Sequence, residues 1–407
     1  MKTHRRRGGR RWLYAVAAVV IIAVYGCWAW NRTLPPLEPL SAIAQLQVQS
    51  PASKLAWPSV GESAVGVVDS SILETHGVQT PLPTASTAKL ITALAVLHQK
   101  PLTLGQQGPT ITLTASDVAL YTSYANQEGS VVQVAAGEQI SEYQMLEALL
   151  LPSANNMADS LAVWAFGSLR AYSDFANTYV KQLGLTNTHI GSDASGLAPT
   201  TTSTASDLVR LGELAMQQPV LAQIVGQPTA SGIPMVGTVK NVNFLLGTDN
   251  IVGIKTGNSN EVGGVFVSAA RTTVNGKPVT IITALSNAAT LFEALKYSLP
   301  LIQSAQTNFT AVSVVKAGAV IGHYHQPWGG TLTAIADKSI ATHIWNSTAI
   351  SPVIHLQSVS TRASVSQVIG SITIPKPAIG DTQAIAVKLQ IPPTKPTIWW
   401  RLLHPLE

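Results

Sequence analysis

The sequence has a single cysteine among its 407 residues, Cys27, and that residue lies in an apolar segment near the N-terminus. A catalytic cysteine, a thiolate zinc site and a disulfide are therefore excluded for everything downstream. Without a covalent cross-link, that part of the chain depends on its hydrophobic core. A chain of this length can bury a large core, and two or three globular units are expected.

Charged residues are also scarce, at 11% of the sequence, and the net charge of +5 is concentrated at one end. Six basic residues precede residue 12, namely Lys2, Arg5, Arg6, Arg7, Arg10 and Arg11. The remainder of the chain is close to neutral. We therefore predict no basic face, and nucleic acid is not an expected partner.

An uncharged run from Trp12 to Trp30 follows the basic cluster. As a helix this run would be about 28 Å long, close to the thickness of a bilayer's hydrocarbon core. The arginines before it should stay in the cytoplasm, and tryptophans at both ends are typical of membrane interfaces. The segment is predicted to be a retained single-pass anchor with the rest of the chain outside the cytoplasm. A cleaved signal peptide, which would leave a secreted protein, is the alternative.

Changes in composition divide the chain into five segments. Alternating apolar residues, helix-cap patterns such as Ser141 with Gln144, and the hairpin signal Asn275-Gly276 predict an α+β body. Short β-branched runs after it predict a small, separate all-β domain. The segments are 1–30, the basic residues and anchor or signal; 31–57, a Pro-rich linker; 58–308, the body; 309–393, the β domain; and 394–407, a Trp-rich tail.

Three short motifs stand in the order Ser86-Thr87-Ala88-Lys89, Ser153-Ala154-Asn155 and Lys255-Thr256-Gly257. Each motif alone is a weak signal, and S-x-x-K occurs a second time at Ser313-Val314-Val315-Lys316. Together, in this order and separated by enough chain to fold into one cleft, they form the signature of the serine penicillin-recognising enzymes. We therefore predict that the chain is an enzyme.

Ser86 and Lys89 are predicted to supply the nucleophile and its base. Apolar residues after Ser86 recur at helical spacing, which places Lys89 one turn later on the same side. A serine hydroxyl needs a base to take its proton, and a lysine does so only when it is neutral. Burial and the second cation, Lys255, are expected to lower the pKa of Lys89.

The second and third motifs offer groups suited to a peptide substrate. The Ser153 hydroxyl could relay a proton to a leaving amine, and the Asn155 amide could bind substrate backbone. Lys255 and Thr256 suit a carboxylate, and Gly257 would let substrate backbone lie along the strand edge.

An oxyanion hole is expected next to these groups. The backbone N–H groups of Ser86 and Asn258 are predicted to form it.

The chain resembles the D-alanyl-D-alanine carboxypeptidases among the low-molecular-mass penicillin-binding proteins. Beyond the three motifs, the resemblance rests on Pro83-Thr84-Ala85, Leu149-Leu150-Leu151-Pro152, Ser195-Gly196-Leu197 and Ser203-Thr204-Ala205-Ser206-Asp207-Leu208. It covers about Val60 to Ser304 and, more weakly, the β domain. It implies a penicillin-binding-protein/β-lactamase-like transpeptidase fold with a small C-terminal all-β domain.

The resemblance also implies an activity and its residues. Ser86 resembles the acylated serine and Lys89 the general base. Ser153 and Asn155 resemble the second catalytic element, and Lys255 with Thr256 the binder of the terminal carboxylate. The implied substrate is a peptidoglycan stem peptide ending in D-Ala-D-Ala, β-lactam antibiotics would be covalent inhibitors, and no cofactor is implied.

The sequence departs from the family pattern at two places. Asn156 stands where members often carry Asp, and Val279 and Thr280 stand where many place an arginine. Whether Arg271 replaces that arginine in binding a carboxylate is left open.

Several alternatives stay open from the sequence. A serine β-lactamase of the commonest class needs a glutamate between the second and third motifs, and none occurs between Asn156 and Gly212. A DD-endopeptidase and a non-catalytic wall-binding protein remain. His323 and His325 could face one side of a strand, but with no third ligand nearby we predict no metal site.

Overall fold

The structure is a computed structural model that describes residues 9–42, 48, 50–260, 263–375 and 382–405. Lys2, Arg5, Arg6 and Arg7 of the predicted cytoplasmic cluster lie outside these residues. The α-helices are α1 Gly9–Asn31, α2 Lys89–Gln99, α3 Ala115–Asn126, α4 Glu142–Leu150, α5 Asn155–Phe166, α6 Leu169–Gln182, α7 Ala205–Gln217, α8 Pro219–Val225, α9 Leu291–Gln306 and α10 Ile398–Leu403.

The strands form one five-stranded sheet, one six-stranded sheet and several two-stranded ones. They are β1 Pro39–Ala42, β2 Glu62–Val67, β3 Leu73–His76, β4 Leu82–Pro83, β5 Thr110–Thr112, β6 Gln139–Ser141, β7 Thr202–Ser203, β8 Thr229–Ile233, β9 Gly237–Lys240, β10 Ile251–Ser259, β11 Gly263–Val274, β12 Lys277–Ala288, β13 Phe309–Val315, β14 Val320–His325, β15 Thr331–Ala336, β16 Ile340–Trp345, β17 Val353–Leu356, β18 Val368–Ile374 and β19 Gln383–Leu389.

The chain divides into two compact units. The larger unit comprises Pro51–Thr310 with Trp345–Ser347, and the smaller unit comprises Met1–Ser50, Ala311–Ile344 and Thr348–Glu407. The predicted α+β class is confirmed, because helices and antiparallel sheets both contribute to the fold.

The larger unit is built on an antiparallel sheet in the order β10-β11-β12-β2-β3. Successive side chains of a strand point to opposite faces. In β11, Val265, Val267 and Ala269 therefore join the core beneath the helices that include α7, while Phe266 and Ala270 join a second core beneath α9. Because both faces are covered, the central strands are buried on both sides. The edge strands of this sheet are β10 and β3.

Local sequence signals around the sheet are confirmed. Asn275 and Gly276, both at positive φ, join β11 to β12 as the predicted hairpin. Ser141 caps α4, and Gln144 completes the capping box.

The smaller unit holds a sheet in the order β1-β14-β15-β19-β18-β17 around its own apolar core. The segment predicted as a Pro-rich linker, 31–57, contains β1, since its residues Pro39–Ala42 pair with β14. Isolated bridges join the same segment to other parts of this unit, from Leu37 to Val359 and from Val48 to Ile350. Prolines suit a sheet edge, where a missing N–H leaves no ladder partner unsatisfied, so the composition of a linker also fits an edge strand.

Candidate active site

Ser86 and Lys89 lie at the junction of a short 3-10 turn, Ala85–Ala88, with α2. The turn brings the lysine back onto the serine, and Lys89 Nζ lies 2.7 Å from Ser86 Oγ. The lysine is fully buried, while Ser86 is half-buried and lines a cleft. The pair therefore presents an accessible hydroxyl backed by an inaccessible amine.

The second motif lies at the sharp connection between α4 and α5. Ser153 has φ of +66°, a left-handed conformation that is uncommon for a residue with a side chain and is often found at functional sites. Asn155 begins α5, and its N–H donates a hydrogen bond to the carbonyl of Ser130. Its side-chain Oδ1 accepts a hydrogen bond of 2.7 Å from Lys89 Nζ. The Oδ1 atom of the amide thus binds the lysine, and its Nδ2 atom can donate hydrogen bonds to another group.

The third motif lies on the edge strand β10. Lys255 is buried, and its Nζ donates hydrogen bonds of 2.9 Å to Ser153 Oγ and to the Thr256 carbonyl. Gly257 packs so closely on the serine turn that a Cβ there would lie 3.1 Å from the Ser86 nitrogen. The next residue, Asn258, is exposed at the strand edge. The three motifs therefore converge, with Lys89 joining the first to the second and Lys255 joining the second to the third.

A cleft of about 940 Å³ opens over these groups. Five residues of the three motifs line it, namely Ser86, Ser153, Asn155, Thr256 and Gly257. The lining also includes the neighbouring Asn258, the apolar Phe244 and the acids Glu128, Asp159 and Asp193. Lys89 and Lys255 lie beneath this surface. An extended peptide could lie along β10, because an edge strand offers unpaired backbone groups.

Burial lowers the pKa of both lysines. Desolvation, followed by the charge of Lys255, lowers the pKa of Lys89 well below its ordinary value, while Asp193 and Asp159 act in the opposite direction. Burial lowers the pKa of Lys255 to about 7. The prediction that Lys89 titrates below a free lysine is confirmed, with burial as the larger cause and Lys255 as the second.

Sequence reasoning missed two carboxylates, Asp193 and Asp159, which fix a loop that binds Lys89. The Ser195 carbonyl accepts a hydrogen bond of 3.0 Å from Lys89 Nζ. Asp193 fixes the loop that carries this carbonyl by accepting hydrogen bonds from the backbone N–H groups of Ser195, Gly196 and Ala198. An aspartate before small residues is a turn signal that could have pointed to this loop.

Asp159 holds the same loop from α5. It accepts hydrogen bonds from the Ala194 N–H, at 2.9 Å, and from the Tyr124 hydroxyl, at 2.6 Å. Burial raises the pKa of Asp159 to about 6. The tyrosine comes from α3, so α3 and α5 together hold the loop whose Ser195 carbonyl binds Lys89.

Other candidate residues lie elsewhere. Arg271 lies on β11 and lines a different pocket, so it is not brought to the cleft. The second S-x-x-K copy begins on strand β13, where no helical turn can bring Lys316 onto Ser313. Within the described ranges no group of three potential metal ligands occurs.

Comparison with known proteins gives a consistent result. The family model described as D-alanyl-D-alanine carboxypeptidase, peptidase S11, matches residues 62–289, more than half of the chain. A D-alanyl-D-alanine endopeptidase of Pseudomonas aeruginosa is 32% identical over 253 residues, which are 59% of this chain and 77% of that protein. A D-alanyl-D-alanine carboxypeptidase of Streptomyces sp. strain K15 is 30% identical over 268 residues, 61% of this chain and 89% of the relative.

Solved structures share the fold. Penicillin binding protein 5 from Haemophilus influenzae superposes with a TM-score of 0.57 at 20% identity, covering 82% of this chain and 98% of that chain. The DD-transpeptidase of Streptomyces K15 gives a TM-score of 0.52 at 23% identity over 63% of this chain and 98% of that chain. The predicted transpeptidase-type fold is confirmed.

Proposed function

Because the chain belongs to the peptidase S11 family of D-alanyl-D-alanine carboxypeptidases, we propose that it removes the terminal D-alanine from peptidoglycan stem peptides through an acyl-enzyme on Ser86. The observation that carries this proposal is the distance of 2.7 Å between Ser86 Oγ and the buried Lys89 Nζ. A lysine whose pKa is lowered by burial has a neutral fraction that can accept the serine's proton.

In the acylation step, Ser86 Oγ attacks the carbonyl carbon between the two D-alanines as Lys89 takes its proton. The backbone N–H groups of Ser86 and Asn258 would stabilise the negative oxygen that forms. The close approach of Gly257 to the Ser86 nitrogen supports this pairing.

The C–N bond then breaks, and the leaving D-alanine needs a proton on its nitrogen. Ser153 suits this transfer because its hydroxyl lies 2.9 Å from Lys255 Nζ and lines the cleft. The proton that Lys89 took from Ser86 is thereby delivered through Ser153 to the amine, and Lys89 is neutral again. Water then attacks the ester carbonyl as Lys89 takes one of its protons, Lys89 returns that proton to Ser86 Oγ as the C–O bond breaks, and the shortened peptide is released.

Recognition of the terminal carboxylate is assigned to Thr256 and Lys255. The Thr256 side chain belongs to the cleft lining, and the cation of Lys255 lies directly below it. Arg271 lines another pocket, so we give it no part in binding substrate.

A DD-endopeptidase is the second candidate. None of the described residues that line the cleft is a lysine, arginine or histidine. A substrate without a free C-terminal carboxylate would therefore lose less binding free energy in this cleft than in a cleft with a cation on its surface. Two relatives named D-alanyl-D-alanine endopeptidase match the chain at 32% and 28% identity.

A direct assay separates these activities. Detergent-solubilised protein is incubated with a peptide ending in D-Ala-D-Ala and, separately, with a cross-linked peptide dimer. We expect free D-alanine from the first substrate and none with Ser86→Ala. Cleavage of the dimer without release of D-alanine would assign the endopeptidase activity, and inertness toward both would favour the non-catalytic alternative.

We also assign α1 as a retained membrane anchor. Its residues Arg11–Asn31 are long and apolar enough to cross a bilayer, although a signal sequence near an N-terminus passes the same test. The mass of the mature protein tests the assignment, because a product beginning near Asn31 would show that the helix is removed.

A further inference from the structure

The active-site cleft continues past the end of β10. A second cavity, of about 870 Å³, shares the lining residues Asn258, Ser259, Asn260 and Leu291 with that cleft. Its other described lining residues are Val60 and residues at the start of β11, at the end of β12 and around the first turn of α9, all in the larger unit. We call this cavity the cleft extension. A peptide that lies along β10 and continues past its end would enter it.

The assignments made for the D-Ala-D-Ala peptide fix the direction in which it would run. Its terminal carboxylate is placed at Thr256, and the carbonyl that is attacked is placed at the N–H of Asn258. The residues that precede the two D-alanines must therefore extend toward Ser259 and Asn260, since an extended chain advances about 3.3 Å per residue, as a strand does. The third residue from the C-terminus of the peptide is thus expected at the mouth of the cleft extension.

Glu293 is the only charged side chain among the described residues that line the cleft extension. It is half-buried and belongs to the first turn of α9. Within the described part of the chain, its carboxylate accepts no hydrogen bond and takes part in no salt bridge. The carboxylate is therefore available to a ligand, and its charge favours a cation.

The cap of α9 shows that this carboxylate lacks the partner that its sequence position would give it. At the start of α3, Thr114 and Asp117 form a complete capping box, in which the Asp117 side chain accepts a hydrogen bond of 2.7 Å from the Thr114 N–H. Thr290 and Glu293 have the same spacing, and the Thr290 hydroxyl accepts a hydrogen bond of 3.2 Å from the Glu293 N–H. Among the described residues, the return hydrogen bond to the Glu293 carboxylate is not formed.

The backbone next to Glu293 is held in place by the sheet. A Cβ on Gly264 would lie 2.2 Å from the Thr290 carbonyl oxygen, so the start of β11 packs directly on the start of α9. Beside Glu293 in the lining are Leu291, which is half-buried, and Phe292, which is 74% exposed. This arrangement suits an ammonium group at the end of an aliphatic side chain, because the methylene groups can pack on apolar side chains while the ammonium pairs with the carboxylate.

We propose that Glu293 is a specificity-determining residue, which binds the side-chain amine of the residue immediately before D-Ala-D-Ala in the stem peptide. A free amine at that position is protonated and can pair with the carboxylate. Acylation of the amine, as in a cross-link formed through it, removes the charge. The enzyme should therefore prefer peptides in which this amine is free. The proposal rests on the proposed function, because the acyl-enzyme on Ser86 and the carboxylate at Thr256 set the direction of the peptide.

Two peptides that differ by one acetyl group test the proposal. Full-length protein in detergent is given Nα-acetyl-L-lysyl-D-Ala-D-Ala or its Nα,Nε-diacetyl form, and the release of D-alanine is measured as kcat/KM. We expect kcat/KM to be about fivefold higher for the peptide with the free amine, the effect of one partly exposed ion pair. This preference should fall as the ionic strength is raised.

Variants of Glu293 identify the group that binds the amine. Glu293→Gln should make the two kcat/KM values equal, and Glu293→Lys should reverse the preference through repulsion of the amine. The melting temperature shows whether each variant is folded. Asp174→Asn, on the exposed face of α6, is the control and should keep the preference of the unmodified protein.

The outcomes separate this proposal from the proposed function. Release of no D-alanine from either peptide would overturn both. Equal hydrolysis of the two peptides by the unmodified protein would overturn this proposal alone, and so would a preference that survives in Glu293→Gln.

Two other acids are tested in the same way. Glu128 lines the active-site cleft, and Glu261 follows Asn260 in sequence and lies outside the described residues. Loss of the preference in Glu128→Gln or Glu261→Gln, with the preference retained in Glu293→Gln, would assign the amine to that acid and contradict the proposal.

Discussion

Lys255 Nζ lies 2.9 Å from Ser153 Oγ, so a side chain on the edge strand and one before α5, 102 residues earlier, share a hydrogen bond beneath the cleft. The same buried cation lowers the pKa of Lys89, after desolvation. Lys255 is thus connected both to Ser153, the proposed proton relay, and to Lys89, the proposed base.

Lys255→Met should move the pH dependence of Ser86 acylation to higher pH. Removing the cation raises the pKa of Lys89, so a higher pH is needed to produce its neutral form. The rate of acylation by a fluorescent penicillin, measured from pH 5 to 10, checks this. Lys240→Met, at an exposed position, is the control. A profile that keeps its midpoint would remove Lys255 from this role, whatever its effect on the maximum rate.

Asp159→Asn should move the same profile in the opposite direction. The charge of Asp159 raises the pKa of Lys89, so its loss should let the lysine become neutral at lower pH. Asparagine can still accept from the Ala194 N–H and donate to the Tyr124 oxygen, which preserves the loop.

Asp174→Asn on the exposed face of α6 is the matched control for this variant. A shift to higher pH, or none with the thermal stability retained, would contradict the electrostatic role of Asp159.

Gly257→Ala should slow acylation while leaving the fold in place. The added Cβ would lie 3.1 Å from both the Ser86 nitrogen and the Thr84 carbonyl, so it presses on an expected oxyanion donor. Losing one such donor costs on the order of 10²-fold in rate. Stopped-flow acylation and the melting temperature are measured together, with Gly226→Ala, at φ of −84°, as the control. A normal acylation rate would place the oxyanion hole elsewhere.

Local chemistry explains what the sequence could predict. The capping box of Ser141 and Gln144, the hairpin at Asn275-Gly276 and the spacing of Ser86 and Lys89 each depend on a few neighbouring residues. Such signals can be interpreted without knowing the rest of the fold.

Long-range pairing explains what the sequence could not predict. Asp159 and Tyr124 meet across 35 residues, and β1 pairs with a strand almost 300 residues later. The sequence around each of these residues does not indicate which distant residue it will contact. The Asn155 amide shows the same limit within a predicted site residue, because only the fold reveals that its oxygen is occupied by Lys89.

Penicillin should acylate Ser86 and remain attached. The β-lactam amide presents its carbonyl to Ser86 and Lys89 as the D-Ala-D-Ala bond would, but the ring fragment stays tethered after the amide opens and cannot leave as D-alanine does. Of the three carboxylates of the cleft lining, Glu128 is exposed, while the other two accept hydrogen bonds from the protein, Asp159 from Tyr124 and Ala194, and Asp193 from its own loop. Neither aspartate is therefore available as the general base that would activate water for hydrolysis of the ester.

Intact-protein mass spectrometry checks this expectation. Full-length protein in detergent should carry one added penicillin that survives desalting, and Ser86→Ala should carry none. Ser313→Ala, in the S-x-x-K copy that begins on β13, should be labelled as fully as the unmodified protein, because its hydroxyl has no lysine one helical turn away. Rapid hydrolysis of penicillin without a lasting adduct would instead assign β-lactamase behaviour. It would contradict this expectation, because it would mean that some other group acts as the base for deacylation.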